Sequence, residues 1–278
     1  ALTLNSNLSA FVVSTTNFSY FGVHAVHVSL VTPVAGPRAG GSLLNISGSG
    51  FAALGGVRCR FGRPSLVAEG TLVSDDLVRC ISPALSGGLG GNVAGAAQRE
   101  RVQVALNGQD YTSSEATFSG FDLGRVRVSA LVPSGGPIEG ETQVVVLGTG
   151  FADYNVHCRI GGTGTPTLVR AVLLNASALR CTTPSQAAPA GAQVEVTLNG
   201  DDAAHSLTSD GVVFSYFNGS EAVVEGVSPL GGPTEGGTLV TLSGRGFVDH
   251  GGVYCRFGAS STSVVAATRL SDTRLTCR

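Results

Sequence analysis

With 278 residues, a net charge of −2 and 42% hydrophobic side chains, the chain is long enough for two or three small-cored domains. The 17 basic residues form no stripe of the kind that grips a phosphate backbone, which argues against nucleic acid as a partner. Trp is absent and aromatic content is 6%, too sparse for sugar-stacking platforms, and no apolar run is long enough to span a membrane.

Taken in order, the chain opens with Leu2-Thr3-Leu4-Asn5-Ser6, a polar stretch, and then Asn17-Phe18-Ser19-Tyr20-Phe21. Next comes Pro33-Val34-Ala35-Gly36-Pro37-Arg38-Ala39-Gly40-Gly41, a short apolar strand carrying Leu44 and Ile46, and a Gly48-x-Gly50-Phe51 turn. Cys59-Arg60-Phe61-Gly62 and Cys80 follow. Val102-Gln103-Val104-Ala105-Leu106 has apolar residues at every second place, the pattern of a strand with one buried face. It ends in Asn107-Gly108, where positive φ suits a hairpin turn.

The same order then recurs: Pro133 to Gly140, Gly148 to Phe151, Cys158, Cys181, Val194 to Leu198, Asn199-Gly200, and Val213-Phe214-Ser215-Tyr216-Phe217. A third copy starts at Pro229 and runs through Gly244 to Phe247, Cys255 and Cys277, with Val240 and Leu242 expected inward and Thr241 outward. The copies are spaced by 100 and 96 residues, the size of a domain rather than of a solenoid turn. No window carries a sustained 3.6-residue apolar period with caps, so almost no helix is expected. The Gly-Gly-Pro phrases read as turns that stop strands. Phe61, Phe118, Phe214 and Phe257 are the candidates for the large aromatic core position that Trp fills in antibody-type sandwiches.

All six cysteines sit at matching places, two per copy. Six cysteines allow 15 connectivities. The repeat singles out Cys59 with Cys80, Cys158 with Cys181, and Cys255 with Cys277, which implies an oxidising compartment. Five Asn-x-Ser/Thr sequons, at Asn7, Asn17, Asn45, Asn175 and Asn218, agree with secretion and are the candidate sites for covalent glycan. Asn45 is expected on the outward face of its strand, and Asn175 and Asn218 in loops. Thr182-Thr183-Pro184-Ser185 is a candidate for O-linked sugar on composition.

The phrase Pro-x-x-Gly-Pro-x-x-Gly-Gly, a strand, Gly-x-Gly-Phe, Cys, and then Leu-x-Cys-x-x-Pro resembles the IPT/TIG domain, an immunoglobulin-like sandwich found in plexins, fibrocystin-like surface proteins and Rel-type transcription factors. The resemblance covers nearly the whole chain and implies an all-β linear array of IPT/TIG sandwiches with one intradomain disulfide each. It divides the chain into residues 1–24 (the last two strands of a domain begun elsewhere), 25–123, 124–219, and 220–278 (a domain without its last two strands). The deficits at the two ends are complementary, which leads to an expectation of head-to-tail self-association. In it, residues 1–24 complete the third domain of a neighbour by strand addition, or the array continues within a longer chain.

No catalytic, cofactor or metal site is expected. The Gly-x-Gly turns lack the helix and third glycine of a dinucleotide site and recur in every copy, as turn geometry would. His24 and His27 would face opposite sides of a strand, while His157, His205 and His250 are scattered. Asp75-Asp76 and Asp201-Asp202 match no alternating calcium loop and read as turn residues. No nucleophile elbow is present, and the cysteines are taken up in pairs. The first functional reading is an extracellular structural glycoprotein built as a rod or filament of IPT domains. The alternative is the ectodomain of a plexin-like adhesion or receptor protein. DNA binding and sugar binding are disfavoured by charge and by the missing aromatics.

Overall fold

The computed structural model describes residues 17–62, 66–85, 98–162, 164–258 and 263–278. Among them there is no α-helix. The first repeat contributes β1 (His27–Thr32), β2 (Ala35–Pro37), β3 (Leu43–Ser49), β4 (Arg58–Phe61), β5 (Leu66–Leu72), β6 (Leu77–Ile81), β7 (Gln98–Ala105) and β8 (Thr117–Phe121). The second contributes β9 (Arg127–Val132), β10 (Gly135–Pro137), β11 (Gln143–Thr149), β12 (His157–Gly161), β13 (Thr167–Arg170), β14 (Val172–Asn175), β15 (Ala178–Thr182), β16 (Ala190–Thr197) and β17 (Val213–Phe217). The third holds β18 (Val223–Ser228), β19 (Val240–Arg245), β20 (Val253–Arg256), β21 (Val264–Ser271) and β22 (Arg274–Cys277).

The described residues form two compact units. The first comprises 17–32, 43–62, 66–85 and 99–118; the second comprises 33–42, residue 98 and the described part of 119–278. In the first unit β3 lies between β1 and β6, and β4 lies between β5 and β7. β5 pairs with β4 through Leu66–Glu69 and with β6 through Gly70–Leu72. One strand thereby joins both layers. The core holds Leu44, Ile46, Phe61, Val78, Val102 and Phe118, with Phe61 and Phe118 edge to face at 6.2 Å.

In the second unit the second repeat is a two-sheet sandwich, with strand orders β10-β17-β16-β12-β13 and β14-β15-β11-β9. Strand switching occurs here too, but at Ala171 the strand breaks into β13 and β14. The Ala171 N–H donates to Val156 O, as the Gly70 N–H of the first unit donates to Val57 O. The alternation in β11 and β16 is the expected one, with Val144, Val146, Val194 and Val196 buried.

The Gly-x-Gly-Phe phrase has one physical cause in all three copies. A Cβ added at Gly48, Gly148 or Gly244 would lie 1.9 Å from the carbonyl oxygen of His27, Arg127 or Val223, and against the ring of the following Phe. The glycine lets the first strand of the repeat press onto the strand that carries it, while Phe51, Phe151 or Phe247 closes the core beneath. The next glycine, Gly50, Gly150 or Gly246, holds φ near +70° (75°, 73° and 72°), which an L side chain rarely adopts.

Four sequence expectations are corrected. The Gly-Gly-Pro phrases are not only turns. Residues Ala35–Pro37 run parallel to Ser119–Phe121, and Gly135–Pro137 run parallel to Ser215–Phe217. Three residues are too few to alternate visibly, so nothing local marked them as strands. The Asn-Gly steps have the expected positive φ at Gly108 and Gly200 but start wider loops. The Asn107 side chain there accepts from the Gln109 and Asp110 N–H groups. Phe257 is 44% exposed whereas Phe61, its counterpart, is 1% exposed. Leu242 is half-buried, whereas Leu44 and Ile46, its counterparts on β3, are fully buried.

Candidate functional site

Each expected cysteine pair is bonded: Cys59–Cys80, Cys158–Cys181 and Cys255–Cys277, with Cα atoms 6.4, 6.4 and 6.3 Å apart. The sulfurs join β4 to β6, β12 to β15, and β20 to β22. In the second repeat these strands belong to opposite sheets, so the bond ties the sandwich through its core.

Of the sequon asparagines, Asn7 lies outside the described residues, and so does most of the 1–24 segment. Asn17 is exposed. Asn45 is half-buried on β3, where its Oδ1 accepts from Arg79 Nε at 3.0 Å. Asn175 is the exposed last residue of β14 rather than a loop residue. Asn218 caps a single 3-10 turn, Gly219–Glu221. Within the O-linked candidate segment, Thr182 and Ser185 are exposed and Thr183 is not. Thr183 is buried, its N–H donates to Thr142 O, and its hydroxyl accepts from the Thr142 N–H.

The acidic pairs hold turns. The Asp75 and Asp76 carbonyls accept from the Phe51 and Gly48 N–H groups. Asp201 accepts from the Ala203 N–H and the Ser206 hydroxyl, and Asp202 pairs with Arg159 at 3.0 Å. His24 and His27 are exposed. No group of three or more His, Cys, Asp or Glu among the described residues is arranged to hold a metal.

What the chain does bring together is a recurring joint. The last strands of the first two repeats, β8 and β17, end in Phe121 and Phe217, and Phe21 stands at the matching place before the first repeat. Three residues beyond each Gly-x-Gly-Phe stand Leu54, Tyr154 and His250. Phe121 stacks on Tyr154 (6.1 Å between centroids, 8° between planes), and Phe217 stacks on His250 (5.2 Å, 4°). Phe21 and Leu54 both pack on the first core. Short 3-10 turns follow each Phe: Val23–Ala25, Leu123–Arg125 and Gly219–Glu221. Asp122 and Asn218 cap the latter two through their side-chain oxygens.

Polar contacts lock the stacks. Asn199, buried, donates from Nδ2 to Ala35 O at 2.9 Å and accepts from Thr197 Oγ1 at 2.8 Å. The His205 ring lies against Gly41. Beside His250, whose carbonyl accepts from the Ser134 N–H, Asp249 accepts from the N–H groups of Gly251 and Gly252. Those two donors hold its carboxyl below the usual range. Sequence reading missed these partners. The signal that would have found them is a ring, Tyr154 or His250, at the third place after the second and third Gly-x-Gly-Phe.

A disulfide-tied β-sandwich that recurs in tandem, with joints built from its own strand ends, defines a modular scaffold of immunoglobulin-like type. The IPT/TIG domain profile matches residues 27–119, 127–216 and 222–278, and the chain belongs to that family. The family is a non-catalytic module that needs no cofactor. No curated protein sequence matches the chain. Among solved structures it is similar to the full extracellular region of plexin A4, domains 1 to 10, at 18% identity over 91% of this chain and 20% of that one, with a TM-score of 0.48. It is also similar to SGBP-B from a xyloglucan utilization locus of Bacteroides uniformis (17%, 90% and 60%, 0.27) and to the Escherichia coli adhesin FdeC (13%, 94% and 90%, 0.27). The chain thus spans a fifth of the plexin region's length.

Proposed function

We propose that this chain is part of the ectodomain of an adhesion or receptor protein, in which IPT modules space and orient binding surfaces outside the cell. The observation that carries the reading is the disulfide in every repeat, buried and placed alike three times, which requires an oxidising compartment to form. Tandem family membership supports a scaffold rather than a catalyst. Among the described residues no helix is long and apolar enough to cross a membrane. The family match and tandem arrangement support this reading better than a glycan-coated filament, for which they supply no observation. Labelling intact cells with a membrane-impermeant reagent, followed by non-reducing peptide mapping, tests it. Surface-labelled chain with the three bonds oxidised is the expected result. An intracellular pool with free thiols would overturn it.

A further inference from the structure

Two sequons share one geometry. At Asn175-Ala176-Ser177, Oδ1 accepts from both the N–H and the hydroxyl of Ser177, each at 2.8 Å. At Asn218-Gly219-Ser220, Oδ1 accepts from the N–H of Ser220 at 3.1 Å and from its hydroxyl at 2.8 Å. Both are Asx turns closed by the sequon's own serine. Residues 175–177 are exposed, and a Cβ at Gly219 would meet nothing within 4 Å.

The matching positions of the other repeats reveal what the fold asks of these side chains. Asp122 stands where Asn218 does and caps its turn with Oδ1 accepting from the Gly124 N–H at 3.0 Å. Ser271 stands where Asn175 does, and its oxygen accepts from the Thr273 N–H at 3.2 Å. A carboxylate fills the one position and a hydroxyl the other, so what recurs at each is an acceptor oxygen. The amide nitrogen of Asn175 and Asn218 is therefore surplus to the fold. Asn45 differs: it sits between β1 and β6 in mid-sheet, with its oxygen held by Arg79.

We infer that Asn175 and Asn218 are built to carry N-linked glycan, an inference that rests on the extracellular reading above. In the transfer, Nδ2 bonds to the anomeric carbon of a lipid-pyrophosphate-linked oligosaccharide. One N–H proton is given up and the lipid pyrophosphate leaves from that carbon. The product keeps Oδ1, so both turns survive modification. The glycan at Asn218 stands one residue beyond Phe217, on the rim of the stacked joint with His250.

The test is to secrete the 278-residue chain from eukaryotic cells behind a cleavable leader and map peptides after enzymatic glycan release, which converts a modified Asn to Asp. Conversion at both 175 and 218 is expected. Asn218→Asp and Asn175→Asp should each remove one glycan-sized mobility step and leave the thermal midpoint in place. Secreted protein with three disulfides but no conversion at either position overturns the inference alone. A variant that loses its mobility step but also its thermal midpoint overturns it too, since the nitrogen would then serve the fold. Chain retained with reduced cysteines overturns the extracellular reading, and the inference with it.

Discussion

The second and third repeats carry the same phrase, the same glycine turn and the same disulfide, yet they bury their residues differently. In the second, β16 and β17 lay Val194, Val196, Phe214 and Tyr216 onto the core. In the third, the buried apolar residues of the described chain are Val240, Phe247, Cys255, Leu275 and Cys277. Gly135–Pro137 is a strand because β17 lies beside it, whereas residues 231–233, with the same Gly-Gly-Pro sequence, are exposed and pair with no strand among the described residues. The Phe-Ser-Tyr-Phe segment makes the same point. Phe214 and Tyr216 are 0% and 3% exposed, while Phe18 and Tyr20 are 80% and 93% exposed. Identical local sequence is strand or loop, core or surface, according to the partner present.

That contrast is breakable by substitution. The largest effect expected is Phe214→Ala, which should cost the second repeat about 3–5 kcal/mol, whereas Phe257→Ala should change stability by no more than about 0.5 kcal/mol. Hydrogen exchange resolved by repeat would read both, and equal effects would dissolve the distinction. Replacing Cys158 and Cys181 with Ala should cost about 3 kcal/mol. Amides of β12 and β15 should then lose protection but keep some, while the same change at Cys255 and Cys277 should leave β20 and β22 unprotected. Asn199→Ala strands the buried Ala35 carbonyl and should cost about 1–3 kcal/mol, visible as faster exchange at residues 33–42.

A smaller loss than these is expected at Tyr216. Its hydroxyl donates to Pro184 O at 2.9 Å, and Tyr216→Phe should cost about 1 kcal/mol. Burial pushes the phenol up, against hydrogen bonds with Thr183 and Gln186 that pull it down. The folded group thus holds its proton more tightly than the unfolded one, whose pKa is about 10. Its contribution is whole below that value and is lost as pH rises through the folded pKa. Wild type should show this alkaline limb in urea midpoints, and Tyr216→Phe should lack its share of it.

Much of this was legible beforehand. Alternation placed Val102, Val104, Val194 and Val196 inward, and the repeat paired the cysteines. The glycine turns were rightly taken as structural, since the strand approach at Gly48 is the same at Gly148 and Gly244. Other features were hidden for physical reasons. The parallel pairing of Gly135–Pro137 depends on residues some eighty positions away. Phe257 matches Phe61 in sequence and differs only in what covers it. The joint stacks join residues such as Phe121 and Tyr154, whose contact no period encodes. Thr183 reads as a loop hydroxyl until Thr142 is placed against it.

The parallel pair β10–β17 has a mechanical consequence. Tension on a tethered array enters the second repeat at β9 and leaves it after β17. Once β9 peels away, the load runs backwards along β10 and forwards along β17, so their hydrogen bonds are strained together, lengthwise, rather than opened one at a time. Behind them the Cys158–Cys181 bond withholds the loop between from extension. Single-molecule pulling should find the second repeat yielding at higher force than the third, whose residues 231–233 have no such neighbour among the described residues. Equal rupture forces would show that the load bypasses the pair.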